Sequence, residues 1–594
     1  MKEKKKREKI YVFRDLPLGI GRAENITMFV LSCLTGICLI VQVYAVSDFI
    51  NIALQSIENN LFDMKLVGKL LILLMTVAVD WLIPRVNGML RQRVELKLLR
   101  EYKTRMLEHC ASIKYTYVEQ SESHDLISRV MREPERQWQN IYQSMLALLK
   151  LFISIIGIML VIAGYVWWAA GLILLFCIPL FVFSVKSGKI NYQTRRDTTP
   201  YIRKYEYLDN VLNNREYLNE RKVFGYTEKI NKQYADMYHK TFSIETKMHA
   251  FWAFKTKISG GLSAIAALLI VITLIQPTLS GGISIGLFIS LVNSVFSLTN
   301  QLSWGLSRNI DVLVHSNEFC KDMRNFWAIP VDAGVLEEPQ YMEHIDEIAF
   351  KNVSFTYPGT EQMVLSNVSF TMKWGHNYAL VGANGAGKST VIKLLTGLYS
   401  EYEGEILING KELRQYTPKE KKGIFSVVYQ DFCKHALTFK ENCQLGDPCE
   451  EISDDRMIEL AEQFQLSGTM ENLPDGYDSL LGKIRENGVD LSGGQWQKLA
   501  MIRALLRPAK VRVLDEPTAS LDPKMESEIY GLFREMTKKT LTILISHRLG
   551  FAKLADYILV FDGGSICEQG DFQTLMDKKG LFYTMYEEQR SWYQ

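Results

Sequence analysis

A glycine-rich loop in the second half of the chain has the residue types that bind the phosphates of a nucleotide. Its residues are Gly382, Ala383, Asn384, Gly385, Ala386, Gly387, Lys388, Ser389 and Thr390. The apolar runs 378–381 and 391–395 predict a strand before the loop and a helix after it. Glycines let backbone N–H groups close around an anion, and the start of a helix adds partial positive charge. We expect Lys388 to reach the β- and γ-phosphates and the Ser389 hydroxyl to ligate Mg²⁺.

A second segment supplies carboxylates that could complete a hydrolytic site. The strand-like run 511–514 leads directly into Asp515 and Glu516. An Asp at the end of such a strand can hold Mg²⁺, often through water, and the next Glu can polarise the attacking water. Together with the loop, these residues predict binding and hydrolysis of a nucleoside triphosphate. Arg512 is unexpected in a strand that should be covered on both faces, and the sequence gives no functional reason for it.

The rest of the sequence separates into a membrane part and a water-soluble part. The chain has 594 residues, of which 47% are hydrophobic and 23% charged, and most long apolar runs lie in its first half. A net charge of +2 gives no reason to expect a nucleic-acid partner. Nine cysteines without a CxxC pair argue against a disulfide or zinc framework. We predict an α-helical polytopic membrane domain followed by an α/β P-loop ATPase domain.

Apolar stretches in the first half are long enough for six membrane spans. A helix needs roughly 20 apolar residues to cross the hydrocarbon core. The stretches are 25–47, 67–83, 151–185 and 258–307. A turn near Trp167 and Trp168 divides the third stretch into two spans, and the turn formers in 276–282 divide the fourth. Buried helices of a soluble protein are the alternative, but these runs are longer than such helices usually are.

The basic residues predict the orientation and the domain boundaries. Lys and Arg are frequent after the second span and in 186–257, which places both long connections and both termini in the cytoplasm. The apolar pattern of these connections predicts helical extensions of the spans, with disordered loops as the alternative. The predicted parts are an N-terminal cytoplasmic segment (1–24), a transmembrane domain of six helices with long cytoplasmic extensions (25–326), a linker (327–344) and a nucleotide-binding domain (345–594).

Two charged residues lie inside otherwise apolar spans. Asp80 is in the second span and Lys150 at the start of the third, and antiparallel counting puts them at similar depth. A charge near the middle of a bilayer costs about 2.5–3.5 kcal/mol on insertion scales, so it should be paired or face water. The pair could line a translocation pathway, it could be a structural contact between helices, or Lys150 could snorkel to the interface.

The segment Leu491–Ser492–Gly493–Gly494–Gln495 resembles the signature sequence of ABC transporters. With the membrane part ahead of the nucleotide motifs, the whole chain resembles an exporter-type half-transporter of that family. The resemblance implies that the phosphate loop of one chain and the signature loop of a second chain enclose each ATP. In that arrangement Ser492, Gly494 and Gln495 serve the nucleotide held by Lys388 of the other chain.

The same resemblance implies roles for further residues. Tyr357 resembles the aromatic residue that stacks on adenine, and Gln430 resembles the glutamine that senses Mg²⁺ and the γ-phosphate. Glu486 is similar to a residue of the exporter loop that contacts the coupling helices. Asp522 looks like the residue that links the two sites across a dimer, and His547 like the switch histidine on the γ-phosphate.

The family comparison also predicts how nucleotide sites and spans communicate. Residues 115–127 and 205–225 are candidates for the transverse coupling helices. No nucleotide element looks degenerate, which fits a homodimer and equally the competent half of a heterodimer. The partner is therefore a second half-transporter, in the lipid bilayer.

The resemblance implies an ATP-driven exporter of a peptide, a lipid or a hydrophobic drug in the plasma membrane of a bacterium. An importer built on the exporter scaffold is one alternative. An ATP-gated channel or membrane sensor is another, although the intact catalytic residues favour a pump.

Overall fold

The computed structural model describes residues 16–59, 64–482, 488–516, 531, 540–546 and 549–591. The chain divides into two compact units. The first comprises the residues up to Leu107 and Asp125–Ala328, and the second comprises Glu108–His124 and everything from Ile329 onward. The short segment Glu108–His124 thus packs with the C-terminal unit, although residues of the first unit flank it in the sequence.

The N-terminal part of the chain is helical. In chain order its helices are α1 (Arg22–Glu58), α2 (Met64–Lys97), α3 (Lys103–Ser112), α4 (Tyr115–Val118), α5 (Ser121–Met131), α6 (Pro134–Ala163), α7 (Trp167–Asn213), α8 (Leu218–Phe224), α9 (Thr227–Leu279), α10 (Ile285–Asn300) and α11 (Ser307–Trp327). Helix α6 ends at Ala163 and α7 begins at Trp167, so the third stretch turns where the sequence predicts a turn. The break between α9 and α10 likewise falls at the predicted turn formers.

Several of these helices could cross a membrane. Among the described residues, Arg22–Glu58, Met64–Ser112 and Pro134–Ala163 are long and apolar enough to do so. Two shorter apolar stretches, Ala267–Leu279 and Ile285–Asn300, lie in α9 and α10. A helical N-terminal region of this composition, followed by a mixed-sheet domain, confirms the predicted fold class.

Glycines allow α1 and α6 to approach each other closely. A Cβ added at Gly36 would lie 2.9 Å from the Cβ of Ile153, and one added at Gly157 would lie 2.0 Å from the Cδ1 of Ile40. Small residues let the backbones of membrane helices come together where larger side chains would hold them apart. The first and third predicted spans are therefore packed through these positions.

The charged residues of the second and third spans form the predicted pair. Lys150 Nζ lies 3.8 Å from Asp80 Oδ1, and the two side chains are 36% and 51% exposed. This distance confirms that Asp80 and Lys150 form a pair. Whether the pair lines a translocation pathway stays a prediction.

The two predicted coupling segments differ from the helices that form. Residues 115–127 divide into α4 and the start of α5 instead of making one helix. Residues 205–213 belong to the end of α7, so the second transverse piece is only the 3-10 turn Arg215–Tyr217 with α8. Tyr205 is part of a continuous helix, which passes through Gly188 and Pro200 without a break.

The second unit contains two sheets. Its strands are β1 (Glu347–Thr356), β2 (Met363–Lys373), β3 (Asn377–Gly382), β4 (Glu403–Ile408), β5 (Lys411–Glu412), β6 (Phe425–Val428), β7 (Val511–Asp515), β8 (Leu541–Ile545), β9 (Tyr557–Asp562) and β10 (Ser565–Gly570). An antiparallel sheet has the order β2-β1-β4-β5. The larger sheet has the order β10-β9-β3-β8-β7-β6 and is parallel except for β10.

Helices cover the larger sheet and extend from it. They are α12 (Lys388–Leu395), α13 (Pro418–Ile424), α14 (Phe439–Gln444), α15 (Asp454–Gln463), α16 (Ser467–Glu471), α17 (Gly493–Leu506), α18 (Phe572–Lys578) and α19 (Leu581–Ser591). Every residue of β3, β7 and β8 is buried, as expected for parallel strands covered on both faces. The carboxyl ends of these strands meet at one edge of the sheet, where ligands bind in such folds.

Candidate nucleotide-binding site

The glycine loop connects buried strand β3 to helix α12 and depends on its glycines. Gly385 and Gly387 have φ values of 80° and 99°, which disfavour any side chain. Gly382 has φ 149°, and a Cβ there would lie 2.2 Å from the carbonyl oxygen of Phe561. A side chain at Gly382 is thus excluded by the neighbouring strand β9 itself. The loop holds its shape because its glycines permit a backbone that other residues would strain.

Lys388 is folded into the loop. Its Nζ donates to the carbonyl oxygens of Gly382 at 2.8 Å and Ala383 at 2.9 Å. The residue is buried, and burial lowers its pKa, while the charges of Glu516 and Asp515 partly oppose that shift. The ammonium is therefore already removed from solvent beside the loop, and the two carboxylates are close enough to act on its charge.

The two predicted carboxylates lie at the end of β7, in different surroundings. Burial raises the pKa of Asp515 to about 6, the nearby charge of Glu516 adds to this, and a hydrogen bond from Ser389 opposes it. Asp515 Oδ1 is buried and has no hydrogen-bond partner in the described part of the chain. Glu516 has φ 46°, and its N–H donates to the carbonyl of Ile545 at 2.9 Å. A non-glycine residue in this conformation carries backbone strain, which is typical of functional positions.

Gln430 reaches the same place from the end of β6. Its Nε2 donates to Glu516 Oε2 at 2.9 Å. The amide thus orients the carboxylate that the sequence assigns as the base. Gln430 and Glu516 are 86 positions apart in the chain, and the parallel pairing of β6 with β7 brings them together.

A cleft of about 660 Å³ contains most of the predicted site. Its lining residues are Tyr357, Gln362, Val364, Asn384, Gly385, Gly387, Lys388, Ser389, Thr390, Gln430 and Glu516. Sequence reasoning missed Gln362 and Val364. Both residues lie around the start of β2, shortly after Tyr357 in the chain. This nearness to Tyr357 is the feature of the sequence that could have indicated them. Ala386 faces the hydrophobic core instead of the cleft.

Tyr357 closes one side of this cleft. Its hydroxyl lies 2.9 Å from the Oγ1 of Thr390, and its ring meets Phe355 edge-on with centroids 5.0 Å apart. Tyr399 contacts the same ring edge-on at 5.4 Å. Packing and the hydrogen bond to Thr390 therefore fix the ring. The fixed ring presents an aromatic surface beside the glycine loop.

The signature residues form the start of α17. Ser492 is its N-cap: its Oγ accepts from the N–H of Gln495 at 3.3 Å, and its own N–H donates to Gln495 Oε1 at 2.8 Å. The Gln495 Nε2 also donates to Thr469 Oγ1 at 3.1 Å. Gln495, which the sequence assigns to nucleotide binding, therefore holds Ser492 and Gly494 in position through a capping box. These residues do not line the cleft described above.

Three predicted residues lie outside the described part of the chain. They are Glu486, Asp522 and His547. Their roles remain those that the family resemblance implies.

A cluster that sequence reasoning missed joins the segment Glu108–His124 to the nucleotide cleft. Glu119 follows α4, and its carboxylate accepts from Tyr115 Oη at 2.7 Å, from Lys393 Nζ at 3.0 Å and from Tyr399 Oη. Burial opposes ionisation of Glu119, but these three hydrogen bonds outweigh it and lower its pKa. Burial and the charge of Glu119 both raise the pKa of Tyr399. The carboxylate is therefore charged and held by three donors.

The Lys393 ammonium connects this cluster to Tyr357, which lines the cleft. It lies 5.4 Å from the ring centroid of Tyr357, 5.8 Å from that of Tyr115 and 5.9 Å from that of Tyr399. Cations within about 6 Å of a ring face are attracted by its quadrupole. One lysine on α12 thus bridges Tyr357 and Glu119.

Comparison with known proteins agrees with this geometry. Residues 365–519 match the family model of the ABC transporter domain. The chain is 27% identical over 98% of its length to the subtilin transport ATP-binding protein SpaT of Bacillus subtilis, covering 95% of that protein. It is 25% identical to the nisin transport ATP-binding protein NisT of Lactococcus lactis, with 94% and 93% of the two chains covered.

Lipid transporters are similar over a smaller part of the chain. The ATP-dependent lipid A-core flippase of Vibrio vulnificus is 29% identical, with 82% of each chain covered. In fold, the chain matches a bacterial Atm1-family ABC exporter with ATP bound at a TM-score of 0.73 and 22% identity, covering 97% of this chain and 99% of the other. The chain therefore carries an ABC transporter domain, behind a helical region, in the fold of an ABC exporter.

Proposed function

We propose that this chain is one half of an ATP-driven exporter, with Glu516 as the general base and Gln430 as the residue that orients it. The observation that carries the proposal is the cleft itself. It brings the phosphate loop, Tyr357, Gln430 and Glu516 to one edge of the sheet. Glu516 is held by Gln430 and by strained backbone, so its carboxylate is positioned before a nucleotide arrives.

Mg²⁺ fits the residues beside the phosphate loop. The buried and unpartnered Oδ1 of Asp515 and the Ser389 hydroxyl supply hard oxygen ligands next to Lys388. Gln430 is the third ligand that we propose. When bound, Mg²⁺ would neutralise charge on the β- and γ-phosphates. Lys388 would bind the same phosphates, and Glu516 would take the proton of the attacking water.

A second chain is required to complete each site. The start of α17 offers Ser492 and Gly494, but neither lines the cleft that contains Lys388. We therefore infer a dimer in which α17 of one chain caps the γ-phosphate bound to the other. His547 and Asp522 would complete the contacts from the switch segment and across the dimer. The nucleotide-binding domains and both termini would lie in the cytoplasm, as the basic residues indicate.

Glu119 is our candidate for transmitting nucleotide occupancy to the spans. It belongs to a short segment that leaves and re-enters the helical unit in the sequence. Through Lys393 it is linked to Tyr357, the residue assigned to adenine stacking. A nucleotide that moves Tyr357 would therefore change the surroundings of the Lys393–Glu119 ion pair.

The cargo that we propose is an amphipathic peptide. The relatives that match nearly the whole chain transport subtilin and nisin, whereas the lipid A-core flippase matches over less of it. The test is ATP-dependent uptake of a labelled amphipathic peptide into inside-out proteoliposomes, with the Glu516→Gln variant as the inactive control. Uptake that requires wild-type protein and ATP hydrolysis supports export. Flux that persists with Glu516→Gln indicates a channel, and movement out of such vesicles indicates an importer.

A further inference from the structure

A buried arginine in the strand that carries the catalytic residues has no role in the mechanism above. Arg512 is the second residue of β7, and its neighbours in the sheet are Ser426 on β6 and Thr542 on β8. It is only 9% exposed, and Ser426 and Thr542 are buried as well. Burying a guanidinium in a sheet is costly unless hydrogen bonds replace its hydration.

The two terminal nitrogens of Arg512 obtain hydrogen bonds from the C-terminal end of α17, whereas its buried Nε has no hydrogen-bond partner in the described part of the chain. Its Nη1 donates to the carbonyl oxygen of Ala504 at 2.6 Å. Its Nη2 donates to the carbonyl oxygens of Leu505 at 3.4 Å and Arg507 at 3.3 Å. The last carbonyls of a helix lack partners within the helix, and the helix dipole makes this end favourable for a cation. Arg512 is therefore a C-terminal cap that a neighbouring strand supplies to α17.

The cap is a charged one. Burial lowers the pKa of Arg512 to about 10, which leaves the guanidinium protonated at neutral pH. The two terminal nitrogens of the guanidinium together contact three main-chain carbonyls within residues 504–507. A lysine ammonium could occupy the same place, but as a point charge it lacks the planar fork that fits several fixed acceptors.

The two elements that Arg512 joins serve different nucleotides. Helix α17 is capped at its N-terminus by Ser492, which contacts the ATP of the partner chain in the proposed dimer, and its 14 residues span roughly 21 Å. Strand β7 ends at Asp515 and Glu516, which act on the ATP of the same chain. Residues 507–510 link helix and strand in the chain, and apolar side chains of α17 share a hydrophobic cluster with Leu514 of β7. Arg512 adds a charged contact to this apolar packing, at the C-terminal end of the helix.

We propose that Arg512 is a positioning residue that makes α17 and β7 move as one body, so that the seating of the signature residues on one ATP aligns Glu516 on the other. This inference rests on the proposed dimeric ATPase. It predicts a defect in the step that follows nucleotide binding. Binding at the phosphate loop itself should not depend on Arg512, because Lys388 makes no contact with it.

The test compares steady-state ATP hydrolysis by full-length Arg512→Met, Arg512→Lys and Ser426→Ala in proteoliposomes. We expect Arg512→Met to keep KM for ATP within about twofold and to lower kcat about tenfold, with Arg512→Lys between it and wild type. Ser426→Ala is the matched control. It removes the hydroxyl that donates to the same Ala504 carbonyl at 2.7 Å but leaves the charge, so its kcat should stay within about twofold of wild type.

Other results would overturn the proposal. A melting temperature that falls in Arg512→Met while kcat stays unchanged means that the cap only stabilises the domain. An equal loss of kcat in Ser426→Ala means that the loss of any hydrogen bond to Ala504 causes the defect, so the charged cap has no special role. A loss of kcat/KM that comes from a raised KM places the effect at the phosphate loop. If Arg512→Met does not fold, Arg512→Lys decides: lowered kcat at constant KM supports the role, and wild-type kcat refutes it. An absence of hydrolysis by the wild-type protein would instead refute the ATPase on which the inference rests.

Discussion

Replacement of Tyr399 by phenylalanine tests whether Glu119 transmits nucleotide occupancy to the spans. The change removes one hydroxyl that donates to the Glu119 carboxylate and leaves the ring that packs against Tyr357 and Tyr115. Glu119 keeps its bonds from Tyr115 and Lys393. The perturbation is thus confined to one bond of a four-residue cluster.

The free energy lost with this hydrogen bond depends on how exposed the Glu119 carboxylate is. A hydrogen bond to a charged group contributes about 1.5–3 kcal/mol when it is buried. The Glu119 side chain is 38% exposed, so solvent screening reduces this to about 1 kcal/mol. A free-energy change of that size alters an equilibrium about fivefold. We therefore expect the equilibrium constant for contact of the Glu119 segment with Lys393 and residue 399 to fall by about that factor. Cargo stimulation of ATP hydrolysis should fall accordingly.

The assay measures basal and peptide-stimulated ATP hydrolysis by the reconstituted protein. Basal kcat and KM should stay within about twofold of wild type, because no residue of the phosphate loop is altered. Tyr402→Phe is the matched control, since Tyr402 is also buried and also donates to a carboxylate, that of Glu412 at 2.9 Å. It lies on the connection into the antiparallel sheet and should leave stimulation intact. Equal effects of the two substitutions, or unchanged stimulation in Tyr399→Phe, would refute the proposed role of Glu119.

Further substitutions test the site and the membrane part. Glu516→Gln should retain ATP binding and lose about 10²–10⁴ in single-turnover hydrolysis, because an amide cannot accept the proton of the attacking water; near-normal hydrolysis would assign the base to another residue. Lys388→Ala should raise the Kd for a fluorescent ATP analogue about 10-fold or more through the loss of a charged donor to the phosphates, and an unchanged Kd would contradict the placement of the loop. Asp80→Asn should lower peptide uptake at constant basal hydrolysis if the pair with Lys150 lines the pathway, whereas unchanged uptake would assign the pair a structural role.

The parts of the site that are local in sequence could be predicted from the sequence. The phosphate loop needs only one strand, one set of glycines and one helix start, which all lie between residues 377 and 395. The capping box of Ser492 and Gln495 is equally local, although its structural meaning was not predicted. Asp515 and Glu516 could be placed because an apolar strand ends directly at them.

Residues that act through distant contacts could not be predicted in this way. Glu119 and Tyr399 are 280 positions apart in the chain, and only folding brings the carboxylate to the tyrosine. Arg512 was visible as an anomaly in an apolar strand, but its acceptors are main-chain carbonyls, which leave no trace in residue types. The extent of the second coupling segment was also overestimated, because Tyr205 and its neighbours continue α7 without a break.

The Glu119 cluster and the Arg512 cap give separate predictions, and a double variant tests whether the two connections are independent. The clusters share no residue: one holds Lys393, Tyr115 and Tyr399 around Glu119, and the other holds the end of α17 on β7. Effects at sites without shared partners usually add in free energy. Tyr399→Phe combined with Arg512→Met should therefore show the kcat of the Arg512 variant and the cargo stimulation of the Tyr399 variant. If Arg512→Met alone already lowers cargo stimulation as much as Tyr399→Phe does, and the double variant lowers it no further, both residues act on one common step, in which the closing of the two chains on ATP and the docking of Glu119 are the same motion.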